Sequence, residues 1–214
     1  MSHQPSGMKE HRLPVTRSAR YFTIGRLGRE VWFVLHGYGQ LAARFLSRFE
    51  PIDDGTRLIV APEGLSRFYL TEDPAERRVG ASWMTREDRV SEIEDYVRYL
   101  DAVYADVVRS EISVTVLGFS QGATTACRWS ALGTSKIARL IVWGGEVPSD
   151  VDMRRASRLS LVYGSRDQYF TPKVVSATEA RLREQGVSYE LVPFDGGHEI
   201  DAAVLRKVAL TADG

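Results

Sequence analysis

Strand-length apolar runs alternate with amphipathic runs along most of this chain, and that alternation leaves few folds open. "WFVL", "TRLIVAPEG", "ISVTVLGF", "ARLIVWGG", "LSLVYGS" and "SYELVPF" each begin or end at Gly, Pro or polar residues. Between them lie "LAARFLSRFEP", "VSEIEDYVRYLDAVYADVV", "GATTACRWSAL" and "PKVVSATEARLREQ", all with helical spacing. Runs that are apolar throughout suit strands buried on both faces. The pattern therefore predicts an α/β fold, a mostly parallel central sheet with helices on both faces. Residues 1–18 are polar and unpatterned and read as a flexible N-terminal tail, with 19–214 as a single domain. A chain of 214 residues can bury such a core without disulfides or metal.

Local signals fix some boundaries. "ARYFTIGRLGREVWFVLHG" reads as two strands around Gly28, the second ending at His36. The first helix should stop at Pro51, and Ser91 is a candidate cap for the long second helical segment. Pro172 opens the fourth helix and Gly186 follows its end, where each belongs. From Leu65 to Asp88 no period survives, which predicts a loop carrying Pro74 and Gly80. Residues 144–158 join two strands and leave no room for a cap domain.

Charge is balanced, with 28 Lys and Arg against 28 Asp and Glu, interleaved throughout. That argues against nucleic acid or an anionic membrane as the main partner. The single cysteine, Cys127, cannot close an intramolecular disulfide and reads as a small buried residue. "MSHQPSGMKEHRLPVTRSAR" has no apolar core of signal-peptide type, and no run reaches membrane-spanning length. The expectation is a cytoplasmic protein without membrane insertion; a homodimer is compatible but not derivable. No His, Cys or carboxylate spacing resembles a zinc site, so neither metal nor other cofactor is expected.

In open α/β sheets, functional residues gather in loops after the strands. Here those loops are "HGYG", "GFSQG", "SRDQYF" and "DGGHEI". They supply Ser120, then an acid, then His198 in chain order. A serine hydroxyl needs a base to take its proton, and histidine can accept it and later return it. A carboxylate orients and stabilises the imidazolium. Three acids compete, Asp167, Asp195 and Glu146. Closeness in sequence to His198 counts little, because the acid must reach the far ring nitrogen from a neighbouring strand's loop. His36 is the competing base, although its position suggests packing and hydrogen bonding; His3 and His11 fall in the tail. Gly118 and Gly122 allow a sharp turn around Ser120, and the following helix aims free N–H groups at the reacting oxygen.

The segments "LHGYG", "LGFSQGA", "GSRDQYF" and "GGHEI" resemble the signature segments of the phospholipase/carboxylesterase family of α/β hydrolases, lid-less serine esterases that include acyl-protein thioesterases. The resemblance spans about Val31 to Leu210, with "ASWM" similar to that family's tryptophan-containing substrate loop. It implies Ser120 as nucleophile, Asp167 as acid, His198 as base, and an oxyanion hole from the backbone N–H groups of Tyr38 and Gln121. This chain departs from the pattern at Tyr38 and Gln40, where the family carries Leu and Asp, at Ala123, often glycine there, and after the acid. Those differences bear on substrate choice more than on mechanism. Phe68, Tyr69, Leu70, Trp83, Tyr169 and Phe170 fall in loops near the site and are candidates to line an acyl pocket, or simply to pack.

The expected activity is hydrolysis of carboxylic esters or thioesters of short to medium acyl chains through an acyl-enzyme on Ser120. A peptidase of the same fold, or a non-catalytic ligand-binding protein on a hydrolase scaffold, are the alternatives. The latter predicts a broken triad, and no member is missing. A dinucleotide fold is disfavoured because "HGYGQLA" lacks the third glycine of the phosphate fingerprint.

Overall fold

The computed structural model describes residues 7–73, 75–109, 111–156 and 158–211, so His3, Pro74 and the first six residues of the expected tail lie outside the described residues. Seven strands form the main sheet: β1 (Tyr21–Gly25), β2 (Glu30–Leu35), β3 (Arg57–Pro62), β6 (Ser113–Phe119), β7 (Arg139–Trp143), β8 (Leu159–Gly164) and β9 (Tyr189–Phe194). Their order is β1-β3-β2-β6-β7-β8-β9; β1 runs antiparallel to β3 and the remaining pairs are parallel. A further pair, β4 (Ser66–Tyr69) and β5 (Val79–Ser82), forms a separate antiparallel hairpin.

β2 shows why the sheet is covered on both faces: all six of its residues are buried. Alternation sends Val31, Phe33 and Leu35 into one cluster, with residues of α2 (Arg89–Val107), α3 (Gln121–Leu132) and α4 (Pro172–Glu184). Trp32 and Val34 enter the other, against α1 (Ala42–Leu46) and α5 (Ala202–Leu210). Phe33 packs edge-on against Trp129 of α3, with ring centroids 5.2 Å apart. Cys127 is wholly buried beside it, and burial pushes its thiol up to about 12, so it carries no thiolate near neutral pH.

Three local expectations need correction. The stretch from Leu65 to Asp88 is not loop throughout: it holds the β4–β5 hairpin. "SRFY" and "VGAS" are short, lack β-branched alternation and place Gly80 inside a strand, so they carry little strand signal. Ser91 does not cap α2; it lies in the first turn, and its hydroxyl donates to the Asp88 carboxylate at 3.0 Å. α1 ends at Leu46 and tightens into a 3₁₀ turn, Ser47–Ile52, with Pro51 inside that turn rather than beyond it. Residues 144–158 hold only a 3₁₀ turn, Met153–Arg155, among those described, and no cap domain is present there. Among the described residues no helix is long and apolar enough to cross a membrane.

Candidate active site

Strand register brings the site together. Leu35 is level with Gly118, Phe119 with Trp143, and Gly164 with Phe194. The loops that follow β2, β6, β7, β8 and β9 therefore open at one edge of the sheet. Ser120 sits between β6 and α3 with φ 56 and ψ −118, a conformation that L-residues rarely adopt. Holding it there costs about 1–3 kcal/mol, supplied by the packing around it. Ser120 N–H donates to Trp143 O at 3.0 Å, and Ser120 O accepts from Ala123 N–H at 3.0 Å. The flanking glycines make the turn sterically feasible: a Cβ on Gly118 would meet Gly122 O at 2.2 Å, and one on Gly122 would meet Leu35 O at 2.2 Å.

His198 comes from the loop after β9, and its Nε2 lies 3.0 Å from Ser120 Oγ. Its Nδ1 lies 2.7 Å from Asp167 Oδ2. Asp167, in the loop after β8, is buried, and its other oxygen accepts from the N–H groups of Tyr169 at 2.9 Å and Phe170 at 3.0 Å. An ionised carboxylate only accepts, so the shared proton belongs on Nδ1 and leaves Nε2 free to accept from the serine hydroxyl. The imidazole packs against Phe119, at 4.8 Å between centroids, and edge-on against Tyr169 at 4.9 Å. The competing acids make no hydrogen bond to the His198 ring: Asp195 is exposed and pairs with Arg166, and Glu146, in the loop after β7, lines the cleft around Ser120 and His198.

The turn after β2 faces Ser120 from the other side, where a Cβ on Gly37 would stand 3.2 Å from Ser120 Cβ. Gly37 N–H donates to Gln40 Oε1, Gln40 N–H to Gly37 O and Gly39 N–H to Ala81 O. The Tyr38 amide lies between these committed groups. Gln121 N–H opens α3, where helix geometry leaves it without an intrahelical acceptor. The Gln121 side chain is clamped to the segment after β5: Oε1 accepts from Trp83 N–H at 3.1 Å, and Nε2 donates to Met84 O at 2.8 Å and Ser82 Oγ at 3.1 Å.

His36 supports the turn rather than entering the site. It is fully buried; its Nε2 accepts from Gly64 N–H at 2.9 Å and its Nδ1 lies 2.8 Å from Gly37 O. Those partners require the neutral, Nδ1-protonated ring. Burial, the dominant influence, holds its pKa below the usual 6.5, against the Gly37 carbonyl and the Glu63 charge, which raise it. A second proton on Nε2 would set one donor against the Gly64 N–H. Because the folded pKa is depressed, this group's contribution to stability is present above the unfolded value and lost as pH falls through the folded one. We expect unfolding free energy to drop between about pH 7 and pH 5, and the drop to be shallower in His36→Gln. Urea melts across that range check it; equal slopes in both proteins would contradict the assignment.

A cleft of about 530 Å³ surrounds Ser120 and His198, lined also by Tyr38, Gln121, Thr124, Gly144, Gly145, Glu146, Tyr169, Phe170 and Val174. Of the six candidates for a substrate wall, only Tyr169 and Phe170 line it. Trp83 does not: it is 2% exposed, its Nε1 donates to His36 O at 2.8 Å, and its ring packs on His36 and Tyr96. An indole in that position fills the core, so the expectation for Trp83 is corrected. Tyr69 points instead to a separate hollow beside Thr71, Glu72, Asp73 and Arg77, because alternation in β4 turns it away from Phe68. Phe68 stands behind Tyr38, at 5.2 Å between centroids, and Leu70 Cδ2 lies 3.1 Å from where a Gly39 Cβ would sit. Both brace the turn rather than the cleft. Thr124 and Val174 escaped notice in the sequence, although Thr124 lies one helical turn beyond Ser120, a spacing that could have flagged it. Among the described residues no group of His, Cys, Asp and Glu is arranged to hold a metal ion.

No family model and no curated protein sequence matches the chain. Solved structures do. Zea mays acyl-protein thioesterase 2 superposes with a TM-score of 0.71 at 16% identity, covering 91% of this chain and 99% of that one. A carboxylesterase from Mesorhizobium loti gives 0.71 at 22% identity, covering 91% and 95%. Esterase PE8 gives 0.69 at 20% identity, covering 90% and 97%. The chain thus has the α/β-hydrolase fold and shares it with these esterases and this acyl-protein thioesterase.

Proposed function

We propose that this chain is a serine hydrolase that cleaves carboxylic esters or thioesters of short to medium acyl chains. The observation that carries the reading is the continuous line Ser120 Oγ, His198, Asp167 at the open edge of the sheet. His198 Nε2 takes the hydroxyl proton as Oγ attacks the carbonyl carbon. The carbonyl oxygen becomes an oxyanion and turns toward the N–H groups of Tyr38 and Gln121. Collapse of the tetrahedral species breaks the bond to the alcohol or thiol, which leaves with the proton from Nε2. Water then repeats the sequence on the acyl-enzyme, frees the acid and restores Ser120. Asp167 holds the imidazole in the required tautomer and stabilises its cation. The fold likeness to esterases and an acyl-protein thioesterase supports the same class of bond. Residues 19–214 act as one domain in this reading, and a cytoplasmic setting fits a single buried cysteine.

The cleft, without a cap, favours chains that its walls can cover. Each methylene buried against Phe170 and Val174 contributes up to about 0.8 kcal/mol, roughly fourfold in kcat/KM, and one left in water contributes almost nothing. With p-nitrophenyl esters and acyl thioesters of graded length, kcat/KM is expected to rise over the shortest chains, then flatten or fall well before palmitoyl. A profile still climbing at palmitoyl would show that the acyl group binds elsewhere.

A further inference from the structure

The proposed chemistry leaves one charged residue in the cleft without a role. Glu146 is exposed, follows β7 by three residues and lines the cleft with Gly144, Gly145 and Thr124. Its carbonyl accepts from Thr124 Oγ1 at 3.2 Å, which ties this loop to the first turns of α3. Neighbouring carboxylates are committed: Asp167 to His198, Asp195 to Arg166, Glu199 to Gly197 N–H, and Asp150 to Arg89 and Arg128. The Glu146 carboxylate has neither a hydrogen bond nor an ion pair among the described residues. No Lys or Arg lines the cleft. Glu146 therefore contributes a carboxylate to the same cleft as Ser120 and His198, among lining residues that include Phe170 and Val174 but no Lys or Arg.

We propose that Glu146 is a specificity-determining residue, selecting esters or thioesters that carry a positive charge, such as an ammonium group, on the acyl or the leaving half, and disfavouring anionic ones. The inference rests on the serine-hydrolase reading. A carboxylate paired with a cationic substrate in a partly open cleft gives a modest but measurable preference, roughly three- to tenfold in kcat/KM.

The test uses two matched pairs on the full chain. One pair compares choline butyrate with its all-carbon dimethylbutyl isostere, and the other compares a trimethylammonio-butyryl ester with its all-carbon acyl isostere. At least one pair should favour the cation by about three- to tenfold, and the pair that does so identifies the half that faces Glu146. In Glu146→Gln the ratio should fall to about one, and in Glu146→Lys below one. A ratio of one in both pairs for the native chain, or a preference that survives both substitutions, overturns the inference. Turnover of the neutral esters separates the two levels. If they are hydrolysed without charge preference, only this inference falls. If no ester is hydrolysed, the serine-hydrolase reading fails and takes the inference with it.

Discussion

Replacing Ser120 with alanine is expected to lower kcat on every ester by about 10⁴-fold or more while the protein stays folded. The hydroxyl sits 3.0 Å from His198 Nε2, and no other described hydroxyl stands at that distance from the base. Alanine keeps the Cβ and the strained backbone turn, so the loss falls on chemistry rather than on the fold. What remains should be the slow hydrolysis that two oriented N–H groups and a bound substrate support without a nucleophile. Steady-state rates with a p-nitrophenyl ester check this, with thermal unfolding as the control. A variant that keeps a tenth of the native rate would place the nucleophile elsewhere.

Asp167→Asn should cost about 10³- to 10⁴-fold in kcat, for a reason visible in its surroundings. One carboxylate oxygen accepts two backbone N–H groups, from Tyr169 and Phe170. In the asparagine variant the single remaining oxygen is drawn to those donors, which turns the amide NH₂ toward His198 Nδ1. The ring must then present a lone pair at Nδ1 and carry its proton on Nε2, where Ser120 needs an acceptor. Asp195→Asn, which alters an exposed ion pair with Arg166 and a hydrogen bond from Ser165 Oγ, should cost little by comparison. If Asp195→Asn proves the crippling change instead, the assignment of the acid is wrong.

Why the meeting of Ser120, His198 and Asp167 is legible in the sequence and the burial of Trp83 is not comes down to what each depends on. The sheet follows from local apolar runs, and parallel register then forces the ends of β6, β8 and β9 to one edge, so chain order alone points to the Ser–acid–His set. Among the competing acids, Asp167 in the loop after β8 reaches Nδ1, whereas Asp195, on the same loop as His198, turns its side chain out to Arg166. The hairpin is another matter. β4 and β5 are held by contacts distant in sequence, above all the pairing of Gln40 with Ala81 and the approach of Gly80 to Gly39 O, neither of which leaves a periodic trace. Trp83 and Tyr69 belong to that unpatterned stretch, and once it folds, one side chain turns into the core against His36 and the other away from the cleft. Gln121 shows the same limit: its backbone role is implied by the turn, but the clamp of its side chain on residues 82–84 needs coordinates.

The most direct measurement of the central claim is covalent labelling by a fluorophosphonate, followed by mass spectrometry of the intact chain and of its peptides. The account predicts one adduct per chain, carried by the peptide that contains Ser120, absent in Ser120→Ala and formed much more slowly in Asp167→Asn. Labelling that persists in Ser120→Ala, or that maps to another residue, would contradict it.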